Sequence, residues 1–179
     1  PKGRGRSPMN WALITGRKSF YTNLFNYDSS IDGGKIVATK KFEINEFDTI
    51  ETLHYKNTLA MYFLIRKSLN DLLDDKIQLK EQNENEATYF PKRNPADGAI
   101  DWNLSSIHLY NFVRAITKPF PGAYSYVGKN LIKIWELKPF SKKDYNFDLT
   151  PGTIISVFSN GKFIIKTGDG IVLVEDYDI

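Results

Sequence analysis

Apolar and polar positions follow two different periods along roughly the first 100 residues. Helical spacing begins near Asp48, where Asp48 and Glu51 have the spacing of a capping box and apolar residues recur at helical intervals as far as Leu73. A short helix that opens with Ser7 and Pro8 precedes it, followed by β-rich segments. The predicted elements are a helix over 9–14, strands over 19–27 and 35–42, and this long helix. Mixed elements of this kind predict an α/β layer.

The pattern changes after residue 104. Ser105 caps a predicted helix through Ile116, and beyond Pro119 only strand-like segments remain. The predicted strands cover 123–127, 131–137, 153–158, 162–166 and 171–175, with Asn-Gly and Asp-Gly turns between the last three. Short strands at this spacing predict a small β barrel. We therefore predict two domains, 1–104 and 105–179, and assign the polar residues 80–86 to an exposed connection.

Composition narrows the class of protein only slightly. The chain has 179 residues, of which 41% are hydrophobic and 25% charged, as expected of a globular protein. Its formal net charge of +3 is too small to indicate nucleic acid by itself. The lack of cysteine excludes disulfides, thiolate zinc sites and cysteine nucleophiles. Without a membrane-spanning or signal segment we expect a cytoplasmic protein, and an opening without Met suggests a piece of a longer one.

One acidic residue has the setting of a general base. Asp32 precedes Gly33 and Gly34 in the loop between two predicted strands, and such loops are held rigidly while facing a cleft. The alternative is an aspartate that only bonds to the backbone of its own turn. His54 and His108 have no partner at metal-ligand spacing, so no metal site is predicted.

Basic residues offer a second kind of candidate site. An N-terminal cluster that could hold phosphates consists of Arg4, Arg6, Arg17 and Lys18, with Lys2 nearby. The cations and flat rings that grip a nucleotide are offered by Lys92 and Arg93 beside Tyr89, Phe90 and Trp102. Solvated charges and packing anchors are the alternatives. Taken by themselves, the residues predict an α/β unit followed by a β module and no particular reaction.

Five stretches resemble, in the same order, the 10-formyltetrahydrofolate-dependent formyltransferase family. They are residues 4–13, 27–36, 97–102, 113–123, and 151–154 with 167–170. The resemblance covers nearly the whole chain. It implies an α/β fold class in which the C-terminal half of a Rossmann-like formyltransferase domain, residues 1–104, is followed by a small OB-like β module, residues 105–179.

The resemblance also implies a chemistry. Enzymes of the family move a formyl group from the co-substrate 10-formyltetrahydrofolate to a primary amine, without a metal. An Asn and a His polarise the formyl carbonyl, and an Asp that matches Asp32 assists proton transfer. The matching Asn and His would precede Pro1, so the isolated chain is expected to be inactive. The loop around Asp28, Ser29 and Ile31 resembles the family's folate-contacting loop.

The motifs favour one class of amine over another. Residues 6–11 and the helix that contains Arg114 resemble sugar-nucleotide formyltransferases more than methionyl-tRNA formyltransferases. The terminal module also lacks a basic surplus, because lysines at 138, 142, 143, 162 and 166 are matched by acids at 144, 148, 169, 175, 176 and 178. We predict a nucleotide-linked amino sugar as substrate, with methionyl-tRNA as the alternative. The predicted substrate contacts are Arg6, Asn10, Arg93, Trp102 and Arg114.

A binding function without catalysis stays open. The β module could be an OB-type nucleic-acid-binding domain in which Tyr124, Tyr126 and Trp135 stack on bases. Strand alternation puts Trp135 on the face opposite Ile132 and Ile134. A sheet cut midway exposes an unpaired edge and apolar faces, so self-association is expected and a homodimer is open.

Overall fold

The computed structural model describes residues 1–141 and 148–179, and the chain divides into two units. Pro1–Ala12 and Arg17–Arg93 form the first unit, and Leu13–Gly16 and Asn94–Ile179 form the second. The predicted boundary between residues 104 and 105 stays a prediction. Three residues that entered the charge comparison lie outside the described part of the chain: Lys142, Lys143 and Asp144.

A β-hairpin packed against a long helix makes up most of the first unit. After helix α1 (Pro8–Ile14), strand β2 (Ser19–Phe25) pairs antiparallel with β3 (Ile36–Glu43). Helix α2 (Ile50–Leu73) packs against both strands. Its buried residues are Ile50, Leu53, Ala60, Leu64 and Ser68. The predicted helices and strands of this unit are confirmed, because their patterns of apolar positions are local properties of the chain.

The cap of α2 lies one residue later than predicted. Thr49 is the N-cap: its hydroxyl accepts a hydrogen bond from the N–H of Thr52 at 3.4 Å, and the Thr52 hydroxyl accepts one from the N–H of Thr49 at 3.0 Å. The prediction that Asp48 caps the helix is wrong. The buried carboxylate of Asp48 instead accepts bonds from the Lys56 ammonium at 2.6 Å and the N–H of Asn45 at 2.8 Å.

Two very short strands join the start of the first unit to its end. Strand β1 (Arg4–Gly5) pairs in parallel with β4 (Tyr89–Phe90). Gly5 has a φ of +98°, and a Cβ there would lie 2.7 Å from the carbonyl oxygen of Phe90. Only glycine allows the two backbones to approach this closely.

An antiparallel sheet with one helix forms most of the second unit. Its strands are β5 (Ala123–Val127), β6 (Asn130–Ser141), β7 (Ile154–Val157), β8 (Phe163–Lys166) and β9 (Ile171–Asp178), in the spatial order β5-β6-β9-β8-β7. Helix α3 (Ser106–Ile116) packs on β6 and β5. All five predicted strands and the helix are confirmed. The strand pairs establish one five-stranded sheet, which is a coarser result than the predicted barrel.

The start of α3 is tied to the turn between β8 and β9. The hydroxyls of Ser106 and Thr167, both buried, lie 2.8 Å apart, and the carboxylate of Asp169 accepts a hydrogen bond from the N–H of Ser106 at 2.7 Å. Core residues of this unit include Leu109, Val113, Ile134, Leu137, Val172 and Val174. No helix within residues 1–141 and 148–179 is long and apolar enough to cross a membrane.

Candidate active site

The segment that joins β2 to β3, residues 26–35, carries Asp32 and is named here the Asp32 loop. Asp32 is exposed and has a φ of +54°, which aspartate tolerates better than most residues. Its Oδ2 accepts a hydrogen bond from the N–H of Gly5 at 3.1 Å, and its carbonyl oxygen accepts one from Nε2 of Gln82 at 2.8 Å. The carboxylate is therefore held in place and still reachable from solvent, as a general base requires.

The turn inside the loop is made by Asp28. Its Oδ1 accepts hydrogen bonds from the hydroxyl of Ser30 at 2.5 Å and from the N–H of Ser30 at 2.8 Å. These bonds hold the pKa of the Asp28 carboxyl below its ordinary value. The turn-forming role considered for Asp32 thus belongs to Asp28, while the side chain of Asp32 reaches a different strand.

The two adjacent glycines are required by close approaches within the loop. A Cβ on Gly33 would overlap the hydroxyl of Ser30, and a Cβ on Gly34 would overlap the backbone carbonyl oxygen of Asn26. A hydroxyl can rotate away, whereas a backbone carbonyl can move only with the loop. Gly34 is therefore the more demanding of the two positions.

A buried arginine is bonded to the segment that follows α2. The side chain of Arg4 is 4% exposed, and its Nη1 and Nη2 donate to the two carboxylate oxygens of Glu84, both at 2.7 Å. Nη1 also donates to the hydroxyl of Tyr89 at 3.0 Å, and Nη2 to Oε1 of Gln82 at 2.8 Å. The bonds to Glu84 raise the pKa of Arg4 and lower the pKa of Glu84. The prediction that Arg4 helps to hold phosphates is wrong, because its guanidinium is buried and bonded to Glu84.

Gln82 connects Arg4 to the Asp32 loop. While its Oε1 accepts from Arg4, its Nε2 donates to the carbonyl oxygens of Asp32 at 2.8 Å and Gly34 at 2.7 Å. Sequence reasoning missed this residue, because residues 80–86 were assigned to a connection. The only available signal was the spacing of Gln82 and Glu84, two polar residues that an extended backbone presents on one side.

The predicted substrate residues of the first unit have different environments. Arg6 is exposed and directly follows Gly5, whose N–H reaches Asp32. Asn10 is buried in α1. The guanidinium of Arg93 lies 5.2 Å from the ring centre of Trp11, which in turn stacks on Phe90 at 5.2 Å. The ring beside the Arg93 guanidinium is that of Trp11, which the sequence-based prediction did not include, so the pairing of Arg93 with Trp102 stays a prediction.

The two predicted substrate residues of the second unit make contacts inside that unit. Trp102 is half-buried, donates from Nε1 to the hydroxyl of Ser125 at 3.0 Å, and packs over Gly152. The guanidinium of Arg114 is buried and donates twice to Oδ1 of Asn111, at 2.7 Å and 3.0 Å. Both substrate roles stay predictions.

Of the rings proposed to stack on bases, Trp135 is partly covered and Tyr126 is exposed. Trp135 donates to Asp178 at 2.7 Å, and a Cβ on Gly122 would lie 2.5 Å from its ring. Lys118 lies 4.9 Å from the ring centre and Lys133 lies 5.7 Å from it.

Within the described part of the chain, no group of three or more His, Cys, Asp or Glu side chains is arranged to hold a metal ion.

Sequence comparison identifies related proteins. Residues 92–178 match the family model described as formyl transferase, C-terminal domain. The bifunctional polymyxin resistance protein ArnA of Wigglesworthia glossinidia brevipalpis is 40% identical over 156 residues, which are 87% of this chain and 23% of that protein.

Structural comparison identifies proteins of similar fold. An N-formyltransferase from Helicobacter canadensis, solved with folinic acid and dTDP-3-aminofucose, gives a TM-score of 0.78 at 21% identity over 99% of this chain and 63% of its own. A methionyl-tRNA formyltransferase from Clostridium thermocellum gives a TM-score of 0.62 at 21% identity over 98% of this chain and 65% of its own. The chain thus spans less than two thirds of each relative. The resemblance to the formyltransferase family is confirmed by these matches, and residues 92–178 match the family's C-terminal domain.

Proposed function

We propose that the chain is part of an N-formyltransferase that moves a formyl group from 10-formyltetrahydrofolate to the primary amine of a nucleotide-linked amino sugar. The observation that carries this proposal is the exposed carboxylate of Asp32, held by Gly5 and supported through its backbone by Gln82. It occurs in a chain that is 40% identical over 156 residues to an ArnA protein.

The proposed role of Asp32 follows from the balance of the reaction. Attack by the amine forms a bond from nitrogen to the formyl carbon, the bond from that carbon to the folate nitrogen breaks, and one proton passes from the attacking amine to the departing folate nitrogen. Among the described residues, Gly5 donates to Oδ2 of Asp32, which leaves Oδ1 for this proton, received directly or through one water. The rigid support keeps the carboxylate within hydrogen-bond reach of the amine.

The Asp32 loop has the properties of a folate-binding segment. Asp28, Ser29 and Ile31 are exposed beside Asp32, and the side chain of Ile31 is 65% exposed. A pteridine ring has a flat apolar face and hydrogen-bonding groups along its edge, which suit an exposed loop backbone with an apolar side chain beside it. We assign these three residues to holding the folate, which supplies the formyl group.

Charge pairing supports a sugar nucleotide over a tRNA. In the second unit, Lys138 and Lys162 both pair with Glu175, and Lys118 lies 4.0 Å from Asp176. Lysines neutralised in this way give little of the positive surface that tRNA phosphates require. The residues assigned to the sugar nucleotide are Arg6, Asn10, Arg93, Trp102 and Arg114.

We also propose an architecture, a cellular location and an oligomeric state for the protein. The five-stranded sheet belongs to an OB-like module, the domains divide between residues 104 and 105, and the protein acts in the cytoplasm as a homodimer. Exposed apolar side chains on α2, among them Leu59, Tyr62 and Ile65, support self-association. Light scattering of the purified protein tests the homodimer, and a monodisperse monomer would contradict it.

The direct test is formyl transfer by the full protein that carries this chain. Acceptors are a panel of nucleotide-linked amino sugars and methionyl-tRNA, and the variants are Asp32→Asn and, as a matched control, Asp71→Asn at an exposed position of α2. We expect transfer to a sugar nucleotide, a fall in kcat of about a hundredfold or more for Asp32→Asn, and no change for Asp71→Asn. Transfer only to tRNA would overturn the substrate, and unchanged kcat in Asp32→Asn would overturn the base. No transfer to any amine would favour the binding module.

A further inference from the structure

The Asp32 loop depends on one side chain from a distant part of the sequence. The loop is irregular between Asn26 and Lys35. Asp32 has a backbone φ of +54°, which residues other than glycine seldom adopt. Nε2 of Gln82, 50 residues away, donates to the carbonyl oxygens on both sides of Gly33. A planar amide that bonds two carbonyls at once restrains both their separation and their direction.

Gln82 is itself held by the buried guanidinium of Arg4. Its Oε1 accepts from Nη2 of Arg4, and the same guanidinium is bound by both carboxylate oxygens of Glu84. Because guanidinium nitrogens only donate, this contact puts the oxygen of the Gln82 amide toward Arg4 and its nitrogen toward the loop. The order of contacts is Glu84, Arg4, Gln82, and then the backbone of Asp32 and Gly34.

We propose that Gln82 is a positioning residue for formyl transfer, which keeps the carboxylate of Asp32 and the folate-holding residues 28–31 in their working geometry by bonding the loop backbone. This inference rests on the proposed function of Asp32. Gln82 touches neither the reacting atoms nor the folate in this assignment. It acts on kcat through Asp32 and on folate binding through the loop.

The sharpest variant removes the donor and keeps the acceptor. Gln82→Glu retains the side-chain length and an oxygen for Arg4, but it sets a carboxylate oxygen against the two loop carbonyls. Gln82→Met removes both the bond from Arg4 and the bonds to the loop carbonyls without adding charge. It replaces Gln82→Glu in the measurements if the Glu variant does not fold. The matched control is Gln78→Glu, the same chemical change at an exposed position of the same segment.

Two measurements in the full protein that carries this chain test the inference. Hydrogen exchange reports on the loop itself: in Gln82→Glu we expect faster exchange at the amides of Gly5 and Ser30, which the carboxylates of Asp32 and Asp28 protect. Steady-state kinetics report on the reaction: we expect kcat to fall by about tenfold to a hundredfold and the KM for 10-formyltetrahydrofolate to rise several-fold. Gln78→Glu should change neither.

The double variant separates positioning from general damage. In an Asp32→Asn background, Gln82→Glu should cause no further fall in kcat while the rise in folate KM persists, because the base is already gone and the loop is still loosened. A further fall in kcat of the same size, or loop exchange unchanged by Gln82→Glu, would overturn the inference. If the unsubstituted protein transfers no formyl group, the proposed function is wrong, and the proposed effect of Gln82 on catalysis is wrong as well. Loop exchange then still decides whether Gln82 holds the loop.

Discussion

Replacing Asp48 with alanine would remove the most heavily bonded buried carboxylate of the first unit. The side chain of Asp48 is 5% exposed and accepts bonds from the N–H of Asn45 at 2.8 Å, the hydroxyl of Thr52 at 2.9 Å and the ammonium of Lys56 at 2.6 Å. These contacts hold the chain that leaves β3 against the first turns of α2. We expect Asp48→Ala to destabilise the helix that covers the hairpin below the Asp32 loop.

The size of the effect follows from which donors keep another partner. The hydroxyl of Thr52 also lies 3.0 Å from the carbonyl oxygen of Thr49, and the ammonium of Lys56 lies 3.1 Å from that of Glu43. Only part of their interaction energy is therefore lost, and the N–H of Asn45 loses its hydrogen bond to the carboxylate. With about 1.5–3 kcal/mol for a hydrogen bond to a charged group, the expected loss is about 3 kcal/mol.

The loss should depend on pH in a defined direction. Burial raises the pKa of Asp48, but the bonds from Lys56, Asn45 and Thr52 lower it by more, so the pKa in the folded protein lies below its ordinary value. A carboxyl with a lowered folded pKa contributes stability above its unfolded pKa, about 3.9, and loses it as the pH falls through the folded value. The difference between wild type and Asp48→Ala should therefore be largest at neutral pH and shrink below about pH 4.

Urea unfolding followed by far-UV circular dichroism measures both the loss of stability and its dependence on pH, since α2 is the longest helix of the described chain. Asp71→Ala removes an exposed aspartate from the same helix and should shift the free energy of unfolding by no more than about 0.5 kcal/mol. A loss for Asp48→Ala equal to that of Asp71→Ala, or one of constant size between neutral and acid pH, would refute the reasoning.

Three further substitutions have defined outcomes. Gly34→Ala should push the loop away from the carbonyl of Asn26 and lower formyl transfer by at least about tenfold, and wild-type kinetics would contradict this. Arg4→Lys should lower the melting temperature by several degrees, because one ammonium cannot replace the two parallel hydrogen bonds from the buried guanidinium to Glu84. An unchanged melting curve would count against this prediction. Gly122 has a φ of +87°, and the Cβ that Gly122→Ala adds would lie 2.5 Å from the ring of Trp135. We expect the free energy of unfolding in urea to fall by about 1–3 kcal/mol, and no loss would show that the ring can move.

The elements could be predicted because their signals are local. Ser105 accepts the N–H of His108 at the start of α3, as a serine before an apolar helical pattern predicts. The cap of α2 could not be predicted to the residue, because Asp48 and Thr49 are both good caps and the choice depends on Lys56. Lys56, two turns further along α2, binds the carboxylate of Asp48. This contact and its packing decide that Asp48, and not Thr49, turns inward.

The candidate base could be predicted, but its support could not. Asp32 was found from its position before two glycines together with a family resemblance. The bonds that hold it come from Gly5 and Gln82, which are 27 and 50 positions away. No local pattern indicates that an amide in a polar connection faces a carbonyl so far along the chain, since such pairing is set by the fold as a whole.

The N-terminal basic cluster shows how one glycine separates a buried charge from an exposed one. Strand alternation would put Arg4 and Arg6 on the same face, yet Arg4 is buried against Glu84 and Arg6 is exposed. Gly5, at a φ of +98°, breaks the alternation, so the strand ends and the chain turns. The same glycine donates its N–H to Asp32. A side chain at this position would therefore disturb the strand pair, the direction of Arg6 and the support of the base together, which makes Gly5 the point where the fold and the proposed chemistry meet.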